Sequence, residues 1–174
     1  MNWEKIAQWD QRWTKTLALA NHDGLLAKVA ALFAHSGDSW FWLIGLVIIA
    51  VTQSSHWRRW ALQFILVVVV AAAIVLALKF AVRRRRPAGE WGAVYRRTDP
   101  HSFPSGHAVR AVLLAVLAAG WGPTFLFPLL FIWAPLVMLS RVAMGVHYLS
   151  DIVAGALIGL LMGALALSLL PPPF

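Results

Sequence analysis

The sequence predicts an all-α, polytopic transmembrane helical bundle, and three observations carry that expectation. Hydrophobic residues make up 60% of the 174-residue chain and charged residues 13%, a balance suited to hydrocarbon rather than water. Uncharged stretches recur through Ser39–Gln53, Ala61–Leu78, Ala111–Leu139 and Ile152–Leu170, most of them long enough to cross a bilayer. Most of the ten tryptophans, including Trp40, Trp42, Trp57, Trp60 and Trp121, fall near expected helix ends, as in an interfacial aromatic belt. The length has room for a single domain, 1–174.

Residues 1–22 place Trp3, Ile6, Trp13 and Leu17 at helical spacing among Glu4, Lys5, Asp10, Arg12 and Lys15, the pattern of a helix lying in the membrane interface. The first span, Ser39–Gln53, is short and follows the polar break His35-Ser36-Gly37-Asp38, so it either tilts or begins earlier, near Leu25. Ala61–Leu78 is the second span. Ala111–Leu139 is too long for one crossing, and Gly120-Trp121-Gly122-Pro123 divides it into helices over 105–120 and 123–140. Ile152–Leu170 completes about five spans.

The chain has no cysteine, which removes disulfides, thiolate metal sites and a thiol nucleophile. The first twenty residues lack the continuous apolar core of a cleavable signal, so insertion is expected through the first true span. The net charge of +8, on a chain this apolar, points to anionic membrane lipids or a phosphorylated lipid rather than to nucleic acid.

Three polar clusters interrupt the apolar sequence. In KFAVRRRRP, residues 79–87, Lys79, Arg83 and Arg86 are spaced by four and three and share one face if the helix continues to Pro87. In PSGH, residues 104–107, Ser105 is a natural N-cap, Gly106 permits close backbone approach, and His107 sits in the first turn beside amides suited to an anion. In SRVAMGVHYLSD, residues 140–151, His147 and Asp151 are four apart, so on a helix the carboxylate can orient one ring nitrogen and leave the other free to attack. Arg141 does not share their face on one continuous helix, so one span is expected to end near it and the next to begin around His147. Each cluster alone has an ordinary explanation: a basic stop at a membrane boundary, a capped helix, a structural His–Asp contact. Two crossings between Arg86 and Arg141 bring all three to one membrane face, which favours a shared site.

These clusters resemble the three signature motifs of the type 2 phosphatidic acid phosphatase (PAP2) family, K-x6-RP, PSGH and SR-x5-H-x3-D, with no substitution at a motif position and a match extending over roughly residues 75–160. The resemblance implies a metal-independent lipid phosphatase without a cofactor. Lys79, Arg86, Ser105, Gly106 and Arg141 would bind phosphate, His147 would attack phosphorus to give a phosphohistidine, His107 would protonate the leaving group and then activate water, and Asp151 would hold the His147 tautomer.

Within the family the motif surroundings look most like polyisoprenoid (undecaprenyl) diphosphate phosphatases. Arg83, Arg84, Arg85, Arg96 and Arg97 are spare cations for a second phosphate, or else partners of headgroups, Glu90 and Asp99. Phosphatidylglycerophosphate and phosphatidate are the alternative substrates. A transporter or scaffold would not need both histidine motifs, and the vanadium haloperoxidases, which share the anion pocket, are largely soluble. The positive-inside count sets Lys5, Arg12, Lys15, Lys28, Arg83, Arg84, Arg85, Arg96 and Arg97 on the site's face against Arg58 and Arg59, favouring a cytoplasmic site. Bacterial relatives, by resemblance, work on the outer face of the inner membrane. Several of the counted arginines belong to the expected site, so the outer face is preferred.

Overall fold

The computed structural model describes residues 3–19, 24–88 and 99–173, and among these it contains seven α-helices and no extended strand. They are α1 (Trp3–Leu17), α2 (Leu25–Ser36), α3 (Ser39–Thr52), α4 (Ser55–Val82), α5 (Gly106–Trp121), α6 (Leu126–Ala143) and α7 (Leu149–Leu169). Helices α4, α6 and α7 are each long and apolar enough to cross a membrane. The pair α2 and α3 makes a fourth candidate span, bent by 48° at its break, and α5 is a shorter apolar helix. A helix thus begins at Leu25, one of the starts left open in the sequence, and a break at Gly37-Asp38 separates it from α3.

Helix α1 presents Trp9, Trp13 and Leu17 outward and buries Asp10 and Thr14. Its polar residues at i and i+4 face the protein, and its aromatic face is exposed. Helix α5 is the hub of the bundle: Val109, Ala111, Leu113, Leu114, Leu117 and Ala118 are all buried. Gly155, Gly159 and Gly163 of α7 recur every fourth residue and let that helix lie directly on α5, with ideal Cβ positions 2.7 Å from Ser105 O, 2.4 Å from Val109 O and 2.6 Å from Val116 Cγ1.

Two boundaries differ from expectation. Helix α4 ends at Val82, well before Pro87, because Arg83 turns into the left-handed region at φ 53° and its amide closes the last turn on Lys79 O at 2.9 Å. Lys79, Arg83 and Arg86 therefore do not share one helical face. His147 and Asp151 likewise do not belong to one helix: α6 ends at Ala143, Gly145 turns at φ 64°, and α7 begins after His147. That turn requires a positive φ, which glycine adopts without steric cost.

Candidate active site

The C-terminal end of α4, the N-terminal ends of α5 and α7 and the C-terminal end of α6 meet around a cavity of about 340 Å³. Lys79, Arg86, Gly106, His107, Arg141 and His147 all line it, so the three clusters separated in sequence converge. The rest of the lining is largely apolar, with Val68, Ala71, Val75 and Leu76 of α4 and Val109 and Leu113 of α5, and it also includes Arg110 and Ser39.

Each polar residue is held by local structure. Ser105 caps α5, its hydroxyl accepting from Ala108 N at 3.4 Å, and its own amide donates to Asp151 O at 3.1 Å, tying the second cluster to the third. Lys79 is buried in the last turn of α4, where its ammonium donates to His101 O at 3.1 Å and pairs with Asp99. Arg86, equally buried, donates to Asp99 Oδ2 at 2.8 Å, Asp99 O at 2.7 Å and Val146 O at 2.8 Å. The Asp99 carboxylate thus bridges two of the expected phosphate-binding cations. Burial alone would raise its pKa, but the hydrogen bond and charge of Lys79, with Arg86, hold it below the usual carboxylate range. Burial lowers the Arg86 pKa, and neighbouring Arg141 adds to the effect. Arg141 is fully buried at the end of α6.

His147 is 1% exposed. Arg86 Nη1 lies 3.1 Å from its Nε2, and because guanidinium only donates, Nε2 is the lone-pair nitrogen. The proton then resides on Nδ1, which faces Asp151 Oδ2 at 3.6 Å, an electrostatic contact longer than a hydrogen bond. Burial pushes the His147 pKa down to about 3, with Arg86 and Arg141 contributing in the same direction and Asp151 opposing, so the imidazole is neutral at ordinary pH.

Asp151 is fully buried and its carboxylate is anchored by two hydrogen bonds. Its Oδ2 accepts from Tyr148 N at 2.9 Å, closing a capping box at the start of α7, and its Oδ1 accepts from Arg84 Nη1 at 2.7 Å. Arg84 also donates to Asp10 Oδ2 at 2.6 Å and Ser150 Oγ at 2.6 Å, and stacks 4.1 Å above the Tyr148 ring centroid. Asp10 accepts from Ser150 N at 3.0 Å and Thr14 Oγ1 from Leu149 N at 3.1 Å, so side chains of α1 satisfy the first amides of α7. Arg84 is therefore committed to two carboxylates, which removes it from the cations expected to meet a second phosphate. Its pKa would fall by burial, but Asp151 and Asp10 outweigh that and raise it. Arg83 and Arg85 are exposed and do not line the cavity. Arg96, Arg97 and Glu90 lie outside the described residues.

The sequence reading did not identify Asp10, Thr14, Asp38 or Arg110 as site residues. Asp38, between α2 and α3, meets His107 Nε2 through Oδ1 at 2.8 Å. Arg110 donates to Gly37 O at 2.8 Å and to Ser39 Oγ. An arginine within the otherwise apolar α5 and an aspartate at the break between two apolar helices are the signal that could have found Arg110 and Asp38, since ionisable groups at membrane depth are retained where they are paired.

Comparison with known proteins agrees with this arrangement. The profile of the PAP2 superfamily matches residues 60–172. A decaprenylphosphoryl-5-phosphoribose phosphatase of Mycobacterium tuberculosis is 35% identical over 150 residues, 85% of this chain and 82% of the relative. An undecaprenyl-diphosphatase of Sulfolobus acidocaldarius is 28% identical over 71% of this chain and 60% of its own length. Among solved structures, a PAP2-type phosphatidylglycerolphosphate phosphatase from Bacillus subtilis superposes with a TM-score of 0.76 at 26% identity, covering 95% of this chain and 85% of that one. Aquifex aeolicus LpxE gives 0.71 at 25% identity, covering 90% and 93%. With its three motifs gathered on one cavity and the family profile covering most of its length, the chain belongs to the PAP2 superfamily of membrane lipid phosphatases.

Proposed function

We propose that the protein hydrolyses a phosphate monoester on a polyprenyl-linked head group, through a phosphohistidine on His147. The observation that carries this reading is the single cavity in which Lys79, Arg86, Arg141, His107 and His147 meet at one end of an apolar channel between α4 and α5. The polar end suits a phosphate and the apolar end a lipid chain.

In the first step His147 Nε2 attacks phosphorus, the phosphorus–oxygen bond to the lipid head breaks, and His107 gives its proton to the departing oxygen. Lys79, Arg86, Arg141 and the Gly106 amide at the start of α5 stabilise the equatorial oxygens, whereas Ser105, expected to join them, lies outside the cavity lining with its hydroxyl capping α5 and its amide bonded to Asp151 O. Asp151 balances the charge that develops on the His147 ring. In the second step water attacks, its proton passes to His107, and the phosphorus–nitrogen bond breaks to release inorganic phosphate and neutral His147.

A monoester is favoured over a diphosphate because Arg84 is engaged by Asp10 and Asp151 and because Arg83 and Arg85 lie away from the cavity. The Mycobacterium relative, a decaprenylphosphoryl-5-phosphoribose phosphatase, supports a polyprenyl carrier. Undecaprenyl diphosphate, named for the Sulfolobus relative, is the second reading. We place the site on the outer face of a bacterial inner membrane. Because the chain has no cysteine, labelling of Ala88→Cys by a membrane-impermeant maleimide in intact cells reports that orientation, and protection until lysis would reverse it.

The test is phosphate release in detergent with chelator, comparing a polyprenylphosphoryl phosphosugar, undecaprenyl diphosphate, phosphatidylglycerophosphate and phosphatidate, with His147→Ala as control. Preference for the phosphosugar lipid, lost in the variant, is expected. Equal rates on all four would refute the polyprenyl reading, and full activity in His147→Ala would refute the nucleophile.

A further inference from the structure

We infer that Asp38, at the break between α2 and α3, is the positioning residue of His107, so that the site contains a second histidine–carboxylate pair in addition to His147–Asp151. This rests on the reading of His107 as the acid and base of a two-step transfer.

The geometry is specific. Asp38 Oδ1 lies 2.8 Å from His107 Nε2, a hydrogen-bonding contact rather than a loose ion pair. A carboxylate accepts, so the Nε2 proton is fixed on that side and Nδ1 is left as the nitrogen that exchanges a proton with substrate. The packing agrees: a Cβ on Gly37 would sit 3.0 Å from His107 Cδ2, so the Cδ2–Nε2 edge of the ring lies against the break, and Nδ1 is on the opposite edge.

The break itself is built to hold this carboxylate. Arg110, one turn below His107, donates to Gly37 O at 2.8 Å and to Ser39 Oγ, clamping the residues on both sides of Asp38. Trp42 Nε1 donates to Ser36 O at 2.9 Å and Trp133 Nε1 to Ser36 Oγ at 2.8 Å, so α3 and α6 also fasten it. Asp38 Oδ2 lies 3.3 Å from His35 Nδ1. The titratable and charged groups around His107 are thus Asp38, Arg110 and Arg141, with His35 behind Asp38. Of these, Asp38 is the carboxylate hydrogen-bonded to the ring. Without it, the imidazolium needed to protonate an alkoxide would form less readily, and the ring would be free to choose the other tautomer.

A positioning role for an acid predicts dependence on the leaving group. With purified full-length protein, Asp38→Asn is expected to lower turnover on a lipid phosphate monoester by about 10²-fold, with KM changed by less than about threefold. On 4-nitrophenyl phosphate, whose leaving group needs no proton, the first step should survive, giving a burst of nitrophenolate and an alkali-stable phosphohistidine that accumulates because water is poorly activated. Asp38→Glu should recover part of the lipid activity, and Asp38→Asn with His107→Ala should be no slower than His107→Ala alone. Loss of the nitrophenolate burst to the same degree as the lipid turnover, or additive effects of the two substitutions, would overturn the assignment. If no variant and no quenched wild-type sample yields a phosphohistidine, the covalent mechanism fails instead, and the contrast between leaving groups still decides the role of Asp38.

Discussion

Replacing Gly159 by alanine perturbs the site without touching any of its polar side chains. The added Cβ would meet Val109 O at 2.4 Å, Val109 C at 3.1 Å and Leu113 N at 3.2 Å, all backbone of α5, so no side chain can rotate away. Relaxing the closest contact to an ordinary C–H···O separation requires α7 and α5 to part by about 0.9 Å. One turn nearer the cavity, Gly155 already lies where a Cβ would be 2.7 Å from Ser105 O, and Ser105 N bonds Asp151 O, so the displacement reaches the start of α5, which carries His107, and the start of α7, which follows His147. A misplacement of about 1 Å between reacting groups costs on the order of 10²-fold in rate. Overpacking costs about 1–3 kcal/mol, reduced by up to ~1 kcal/mol from alanine's better helix propensity. The assay is phosphate release for kcat and KM beside thermal unfolding in the same detergent. Gly163→Ala should be milder, since its Cβ meets the Val116 side chain at 2.6 Å, and Gly45→Ala, with nothing within 4 Å, should leave activity intact. Gly159→Ala activity within about threefold of wild type and an unchanged melting temperature would refute the reasoning.

Arg84→Gln strands Asp10 and Asp151, which have side-chain exposures of 3% and 0%, and should cost about 3 kcal/mol, at the low end of a broken buried pair because Arg84 itself is 27% exposed. Thermal unfolding should show this loss combining less than additively with Asp10→Asn, and strict additivity would argue against the shared network. His147 has its folded pKa depressed from 6.5 to about 3, so as pH falls below 6.5 the unfolded chain takes up a proton that the folded site refuses. The stability present above that pH is lost on acidification, and wild-type melting temperature should fall more steeply than that of His147→Asn across this window; parallel slopes would contradict a neutral buried imidazole. Asp99→Asn removes a carboxylate that occupies Lys79 and Arg86, and should strengthen competitive inhibition by vanadate severalfold. Weaker inhibition would mean that Asp99 orients the cations rather than competing for them.

What could be read from sequence is what depends on near neighbours. The N-cap at Ser105, the break between Arg141 and His147 and the apolar helices follow from local chemistry, and Lys79, Arg86, His107, Arg141 and His147 line one cavity. The misreadings begin where one backbone angle redirects everything after it. Arg83 at φ 53° ends α4 early, and with that turn Arg83 points outward while Arg84 points inward to Asp10 and Asp151. Helical spacing applied to RRRR could not anticipate this, because it assumes the helix continues.

The residues missed altogether share a physical property that spacing rules cannot register: each meets its partner across a long loop of sequence. Asp38 finds His107 across 69 positions and Asp10 finds Arg84 across 74, both through docking of one helix on another. A different rule reaches them. Only seven carboxylates occur in the chain, and a carboxylate embedded among apolar helices is stable only with a partner. Asp10, Asp38 and Asp151 each needed a cation or an imidazole from elsewhere in the bundle. With Asp151 assigned to His147 by its motif, Asp38, in the polar break ahead of α3, was open to pairing with the other motif histidine. Charge balance at membrane depth thus carries long-range information that periodicity lacks, and in this fold it connects the break in the first helical pair to His107 of the catalytic cluster.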